Sequence, residues 1–486
     1  MNRIKLLLLT AIAVTIVAML VTVFVLRTSG DAYANALPRD ATALARLDAK
    51  SFLSAAKLDA KDLKLLWQRS RQNRGNEDVK PLGIDIKRPI YAFASATGNF
   101  GFLAAVSSAG NLQDFLEEEH AAGRASEVTR QRGYSWAVVQ QQWLLAFDGK
   151  RALAMGPAVG TAQDQLRAEM ARLLEQDKDN SGRESVLFTE MKKKDEPLTA
   201  IVSPELLPGE ARAYLRKIKV ASRADALLRL SMETDDNELE LQADILAQND
   251  SMKAALKRID KLLRPIKGAM IDHAHAENVA WLALNVQGSE LLDILRSDAT
   301  VRASLLILNF AFDLDRIIRS VDGDLAVELT HASALPLGKT DASQLQGLYV
   351  TAQVENTDFL KSATSWNSKL MGVQALSQTD FRMNLGESPI YFGVEDDIFY
   401  LGAHQGLPTE KNDYLLHERS DIKGNRFYAT IAMPNLLKQL AVTAQLPASL
   451  RNFERLNIEM EDAGEFKLTL KAPEGTNIAK QLLLAE

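Results

Sequence analysis

One short pattern recurs along this chain and constrains its fold more than any other feature. It consists of an apolar, β-prone run, a polar turn and the start of an amphipathic helix. The 486 residues contain six copies of it, at Ala43–Ala56, Phe100–Glu119, Leu198–Pro208, Val279–Leu295, Leu348–Ala363 and Phe427–Ala441. Asp48 or Ser51 can cap the first helix, because short polar side chains accept hydrogen bonds from the free N–H groups of a first turn. The last three copies follow one another as the first three do, which indicates a duplication.

Hairpin-like segments separate the copies of this pattern. Two of them place apolar runs around a polar turn, at Tyr134–Phe147 and Ile390–Leu401. Two others alternate apolar and polar residues around acidic ones, at Ala226–Leu246 and Arg455–Ala472. Such alternation is typical of antiparallel hairpins with one solvated face. Because both halves have the same order, we predict an α+β fold of two similar halves of mixed strands, hairpins and helices. In this alignment Tyr391 corresponds to Trp136.

The segment Leu6–Leu26 is apolar and contains no charged residue. As a helix it would be about 31 Å long, close to the thickness of a bilayer's hydrocarbon core. Arg3 and Lys5 precede it, so the positive-inside rule places the N-terminus in the cytoplasm. We therefore predict a single N-terminal transmembrane helix (a signal-anchor) in the inner membrane, with a periplasmic body. The alternative is a signal peptide that is cleaved after Ala34, followed by secretion.

Composition excludes several functional classes. The chain has no cysteine, which excludes a disulfide framework, a thiolate metal site, a cysteine nucleophile and a lipid anchor on cysteine. Its net charge of −6 argues against a nucleic-acid partner. Since no cofactor-binding motif is found either, we expect no cofactor and a partner that is an envelope protein or an envelope ligand.

The segment Asp250–Lys267 has an apolar stripe at helical spacing and a basic opposite face. It is predicted to be a connector helix, although a basic docking helix remains an alternative. The predicted organisation is a cytoplasmic tip and signal-anchor at 1–27, a linker at 28–38, the first half at 39–247, the connector at 248–273, the second half at 274–473 and a tail at 474–486.

The strongest candidate for a metal or catalytic site is the cluster of His273, His275 and Glu277. In an extended strand their side chains share one face, and imidazole with carboxylate suits a zinc ion. However, the cluster lies at the junction of the halves, where polar residues are expected without any function. Ser54 and Lys57 match a Ser-x-x-Lys pattern but lack its companion motifs. We therefore predict no catalytic residues, and we keep a metal-dependent hydrolase centred on the His-x-His-x-Glu cluster as the alternative.

Trp136 and Trp143 flank a predicted hairpin turn. Exposed aromatic side chains supply binding area at low entropic cost, so the pair is a candidate ligand or partner platform. Packing in the core is the competing interpretation.

Three stretches of the sequence carry a family resemblance. They are Leu37–Ala43 leading into Ala45–Asp48, then Gly83–Phe93, then Trp143–Asp148. With them the chain resembles an uncharacterised family of Bacteroidota cell-envelope proteins, a domain of unknown function whose members are exported and often lipid-anchored. The resemblance implies an exported body and supplies no catalytic residue.

Together these features predict a membrane-anchored periplasmic protein that is not an enzyme. We expect a binding or interaction module of the cell envelope, tethered to the membrane through Leu6–Leu26. A structural envelope factor that acts through this anchor is a further hypothesis.

Overall fold

The computed structural model describes residues 31–59, 61–62, 82–217, 220, 222–297, 302–303, 305–306, 309, 313–331, 347–365, 372–385, 388–440 and 452–484. These residues form 22 antiparallel strands and a set of helices, an α+β architecture. The chain divides into two compact units. The first contains Asn2–Lys253 together with Glu474–Glu486, and the second contains Ala254–Pro473.

The first unit begins with a 3₁₀ helix at Asp31–Ala36. Its strands are β1 (Ala43–Leu47), β2 (Ile84–Asp85), β3 (Ile90–Ala94), β4 (Phe100–Val106), β5 (Thr129–Gln131), β6 (Tyr134–Val139), β7 (Trp143–Phe147), β8 (Arg151–Gly156), β9 (Leu198–Val202), β10 (Ala226–Asp235) and β11 (Glu238–Ala247). Its helices are α1 (Ala49–Ala55), α2 (Ala109–Ala121), α3 (Gln163–Glu175), α4 (Val186–Met191) and α5 (Gly209–Lys217). Asp48 caps α1 by accepting from the Ser51 amide. The strands pair in the order β11-β10-β9-β1-β3-β4-β8-β7-β6-β5, and β2 adds to β4.

One face of this sheet is covered by the first 3₁₀ helix, α3 and α4. Leu44, Phe93 and Leu144 from the strands pack there against Tyr33 and Leu173. Burial of such side chains contributes about 1.5–3 kcal/mol each relative to exposure, so this apolar layer stabilises the unit.

Helix α6 (Asp250–Leu262) crosses the division between the units. It ends five residues before the predicted Lys267, because Leu263 and Arg264 form a short strand, β12, against β13. The Arg426 guanidinium donates to the carbonyls of Asp260 and Leu263 and so satisfies the end of this helix.

The second unit contains β12 and ten further strands. They are β13 (Ala280–Gln287), β14 (Val321–Leu329), β15 (Leu348–Val354), β16 (Gln374–Ala375), β17 (Asp380–Leu385), β18 (Ser388–Glu395), β19 (Ile398–Gly402), β20 (Phe427–Ala432), β21 (Arg455–Met460) and β22 (Glu465–Lys471). Its helices are α7 (Gly288–Ser297), α8 (Leu314–Ser320), α9 (Asp413–His417), α10 (Arg419–Ile422) and α11 (Met433–Leu440), with 3₁₀ helices at Ala269–His273 and Asp358–Ser365. The last helix of the chain, α12 (Ile478–Leu484), belongs to the first unit.

The strands of the second unit pair in the order β22-β21-β20-β13-β14-β15-β19-β18-β17-β16. This order matches that of the first unit strand by strand. It also corrects one correspondence from the sequence. Tyr391 lies on β18, which takes the place of β7, whereas Trp136 lies on β6. When three consecutive strands form a meander, a sequence alignment can easily match each strand to the wrong neighbour, because every strand has the same alternation of apolar and polar residues.

The predicted fold class is wrong in its transmembrane element. Among the described residues, none of the helices has the length and apolar character needed to cross a membrane. The predicted span Leu6–Leu26 itself lies outside the described residues.

Candidate functional site

A row of buried residues crosses the covered face of the second unit's sheet. Asn457, Thr430, Trp281, Glu328 and Tyr349 lie opposite one another on five neighbouring strands, from β21 to β15. All five are at most 3% exposed. Polar and charged side chains are rarely buried this completely without partners, so each one needs a physical account.

Glu328 has its partners in the segment just before β13. Its carboxylate accepts from the backbone N–H of His275 at 3.0 Å and from Nδ2 of Asn278 at 2.8 Å. The Nδ1 atom of His275 donates to it at 2.8 Å. Three donors from one short segment satisfy the buried carboxylate, and the same bonds hold that segment in a single conformation.

The imidazole of His275 contacts both the Glu328 carboxylate and Tyr349 on the next strand, β15. Its ring meets the ring of Tyr349 edge-on, with centroids 4.6 Å apart, and lies 6.4 Å from the ring of His404. The hydroxyl of Tyr349 donates to the carbonyl of Gly406 at 2.7 Å. Burial raises the pKa of Tyr349 above its usual range, so its hydroxyl stays protonated and remains a donor at neutral pH.

Two loops meet above these residues. The side-chain amide of Asn412 donates to the carbonyls of His275 and Ala276. Asp272 pairs with Arg419 at 2.7 Å and with Lys411 at 3.4 Å. The hydrogen bond from Arg419 lowers the pKa of Asp272, and Lys411 adds to this effect. We call the segments 272–278 and 404–412, with Glu328 and Tyr349 beneath them, the polar loop cluster.

His273, His275 and Glu277, the candidate ligands of the alternative metal site, lie in different local environments. His273 ends a 3₁₀ helix instead of lying on a strand, so the alternation expected for His273, His275 and Glu277 does not apply. Glu277 is exposed, whereas His275 binds Glu328. Within the ranges that the structure describes, no three or more His, Cys, Asp or Glu side chains are placed to hold a metal ion. Glu328 was missed by the sequence analysis, although three acidic residues in one strand-like run, Asp322, Asp324 and Glu328, are a usable signal.

The two candidate tryptophans, Trp136 and Trp143, lie in the first unit and have different environments. Trp136 is 3% exposed, donates from Nε1 to the carbonyl of Gln131, and lies beneath the guanidinium of Arg167. Trp143 is half-buried on the other face and packs against Phe102, with ring centroids 5.3 Å apart. Because they face opposite sides of a hairpin, they do not form one platform.

Strand β3 of the first unit, which corresponds to β14 of the second, has a different environment. On β3, the ring of Tyr91 lies between those of Tyr33 and Phe188 at 6.0 Å from each. The same strand order therefore supports an aromatic core in one unit and a hydrogen-bonded polar cluster in the other.

The stability of the second unit is expected to fall as the pH drops below about 6.5, the usual pKa of histidine. Burial lowers the pKa of His273, against the opposing effects of Asp272, Glu395 and Asp396, while Lys411 acts in the same direction as burial. The unfolded chain then binds more protons than the folded one in this range, so stability is lost on acidification. Hydrogen exchange of the second unit, measured at pH 7.5 and at pH 5, should show a smaller loss of stability on acidification in His273→Gln than in the unsubstituted protein. An equal loss in both proteins would contradict this assignment.

The fold and the site together define an α+β protein of two units with the same strand order, in which the second unit carries the polar loop cluster. Residues 33–432 match the family model described as "Domain of unknown function (DUF4836)", and the chain belongs to that family. Among curated proteins, none matches this chain.

Two solved structures share a limited likeness with the chain. Crystal form IV of TP0453 has 9% sequence identity and a TM-score of 0.28, covering 44% of this chain and 81% of that one. Crystal form III of TP0453 has 9% identity and a TM-score of 0.29, covering 49% of this chain and 89% of the other.

Proposed function

We propose that this protein is an exported, non-enzymatic binding module of the cell envelope, and that its polar loop cluster contacts a partner protein or ligand. One observation carries the proposal. Two units with the same strand order differ at the corresponding strand, where the first has Tyr91 in an aromatic core and the second has Glu328 beneath two loops. Apolar packing of similar volume is often at least as stable as a buried charged group, so a buried carboxylate beneath two loops suits a role in addition to stability.

The cluster has the construction expected of a recognition surface. Glu328 and Asn412 immobilise the backbone at His275 from below and from the side. Above them, His404 and Lys411 are exposed. Loops that are held rigid before binding lose less conformational entropy on binding, which favours affinity and specificity.

Export is proposed from the sequence of the N-terminal region. Basic residues followed by a long uncharged apolar run direct a chain out of the cytoplasm. The alternative of cleavage after Ala34 meets a structural objection. Tyr33 is 3% exposed and Ala34 is fully buried, and the Tyr33 hydroxyl donates to the carbonyl of Pro89. A cut at that bond would remove two residues of the first unit's core.

We therefore expect mature protein recovered from the envelope to retain Tyr33 and Ala34. Intact-mass measurement of the chain purified from the native cell checks this directly. A mature chain that begins at Asn35 would show that the core forms without these residues, and would restore cleavage after Ala34.

Site-specific photo-crosslinking in cells tests the binding surface. A photoreactive residue at His404 or Gln405, both exposed, should give one reproducible adduct. The same probe at Lys150, exposed on a hairpin turn of the first unit, serves as the control. We expect the adduct from the loop positions alone, and we expect His275→Gln or Lys411→Glu to weaken it. An identical adduct pattern from Lys150, or none from either loop position, would overturn the proposal.

A further inference from the structure

The second unit carries a buried arginine whose charge is incompletely paired. Arg455 begins β21 on the covered face of the sheet, and its guanidinium lies 4.0 Å from the centroid of the Tyr414 ring on α9. Its Nη1 atom is buried and has no hydrogen-bond partner among the described residues. An unpaired buried guanidinium nitrogen costs free energy, so its persistence calls for a physical explanation.

The corresponding hairpin of the first unit shows how such an arginine is normally neutralised. Arg229 on β10 lies opposite Asp244 on β11 and donates to it from Nε at 2.7 Å. In the second unit the residue opposite Arg455 is Lys471, another cation. Lys471 binds Glu418 at 3.1 Å, so the nearest buried carboxylate is already engaged.

A further unpaired polar atom lies on the same face, one strand away. The hydroxyl of Thr430 on β20 is fully buried and has no hydrogen-bond partner within the part of the chain described. Thr430 lies opposite Asn457, which exchanges hydrogen bonds with the hydroxyl of Tyr414. Arg455 as a whole residue is partly exposed.

We propose that Arg455 is the anchor of an oxyanion-binding site, which takes a carboxylate or phosphate group of a ligand in the place that Asp244 occupies beside Arg229. The planar guanidinium presents two parallel N–H groups that match either anion. Lys471, on the neighbouring strand, remains paired with Glu418, and the acidic neighbour Glu454 is exposed beside Arg455. Burial lowers the pKa of Arg455, against the opposing effects of Tyr414, Tyr428, Glu454 and Glu418. This site lies apart from the polar loop cluster and does not depend on the proposed function.

Calorimetric titration of the full-length protein tests the site with inorganic phosphate, glycerol 3-phosphate and acetate, at constant ionic strength maintained with chloride. We expect saturable binding of at least one of these anions with a dissociation constant of about 1 mM or below. Tighter binding of the two phosphates identifies a phosphate site, and tighter binding of acetate identifies a carboxylate site. Absence of saturable binding by all three would overturn the proposal.

Variants of the arginine and its neighbours locate the binding. Arg455→Gln should weaken binding at least about tenfold, because charge-assisted hydrogen bonds contribute more than neutral ones. Arg229→Gln is the matched control and should leave binding unchanged. Unchanged binding in R455Q, or an equal loss in R229Q, would contradict the assignment.

A second variant does not depend on R455Q folding well. Lys471→Asp combined with Glu418→Gln recreates in the second unit the Arg–Asp pairing of the first, placing an internal carboxylate opposite Arg455. We expect this double variant to lose anion binding and to unfold at a higher temperature than R455Q. Undiminished anion binding in the double variant would show that the ligand lies elsewhere.

Discussion

Replacing Glu328 with alanine is expected to lower the free energy of unfolding of the second unit by about 3–5 kcal/mol, because three donors lose their acceptor and each unsatisfied buried donor costs about 1–3 kcal/mol. The side chain of Glu328 is only 3% exposed, and that of His275 is 24% exposed. Without the carboxylate, the backbone N–H of His275 and the amide of Asn278 lose their acceptor inside the protein. Urea unfolding of the second unit, followed by hydrogen exchange, measures the loss.

The matched control for this substitution is Glu277→Ala, a neighbouring carboxylate that is exposed. It should change stability by no more than about 0.5 kcal/mol. Glu328→Gln should fall between the two, since its amide oxygen still accepts hydrogen bonds while its NH₂ group cannot accept from Nδ1 of His275. A loss below about 1 kcal/mol for Glu328→Ala would mean that the cluster does not hold the loop in place.

Replacing Asp244 with alanine is expected to destabilise the first unit by a similar amount, about 3–5 kcal/mol. Asp244 and Arg229 have side chains that are 3% and 12% exposed, and Gln242 also donates to the carboxylate at 3.1 Å. Removal of the carboxylate leaves the largely buried Arg229 guanidinium without its counter-ion. Thermal and urea unfolding of the first unit should both report the loss.

Asp195→Ala provides the control for this second prediction. Asp195 also accepts from an arginine, Arg46, at 2.9 Å, but its side chain is 97% exposed. Exposed ion pairs contribute about 0–1 kcal/mol, so the change should be small. If Asp195→Ala and Asp244→Ala were equally destabilising, burial would not be what makes the Arg229–Asp244 pair important.

Much of the secondary structure could be predicted from local pattern. The strand-turn-helix copies at Ala43–Ala56 and Val279–Leu295 form as β1 with α1 and as β13 with α7. Asp48 caps α1 as one of the two expected residues. These features depend on side chains within a few residues of each other, which is why a single sequence contains them.

The candidate site could not be predicted in the same way. The segment His273–Glu277 alternates as a strand would, yet it is held irregular by Glu328 and Asn412, which come from distant parts of the chain. The end of α6 likewise depends on distant residues, because β12 pairs with β13 and Arg426 donates to the carbonyl of Asp260. Local periodicity carries no information about such long-range partners.

The sequence by itself determined the alternation of strands and helices, the repeated order of the two halves and the absence of thiol chemistry, because spacing and composition are local properties. The tertiary structure alone decided which charges are neutralised. Cross-strand register places Asp244 opposite Arg229 but Lys471 opposite Arg455, and the fold around β14 brings His275 to Glu328. Burial makes these pairings consequential, since a charge removed from water depends on the partners that the fold supplies.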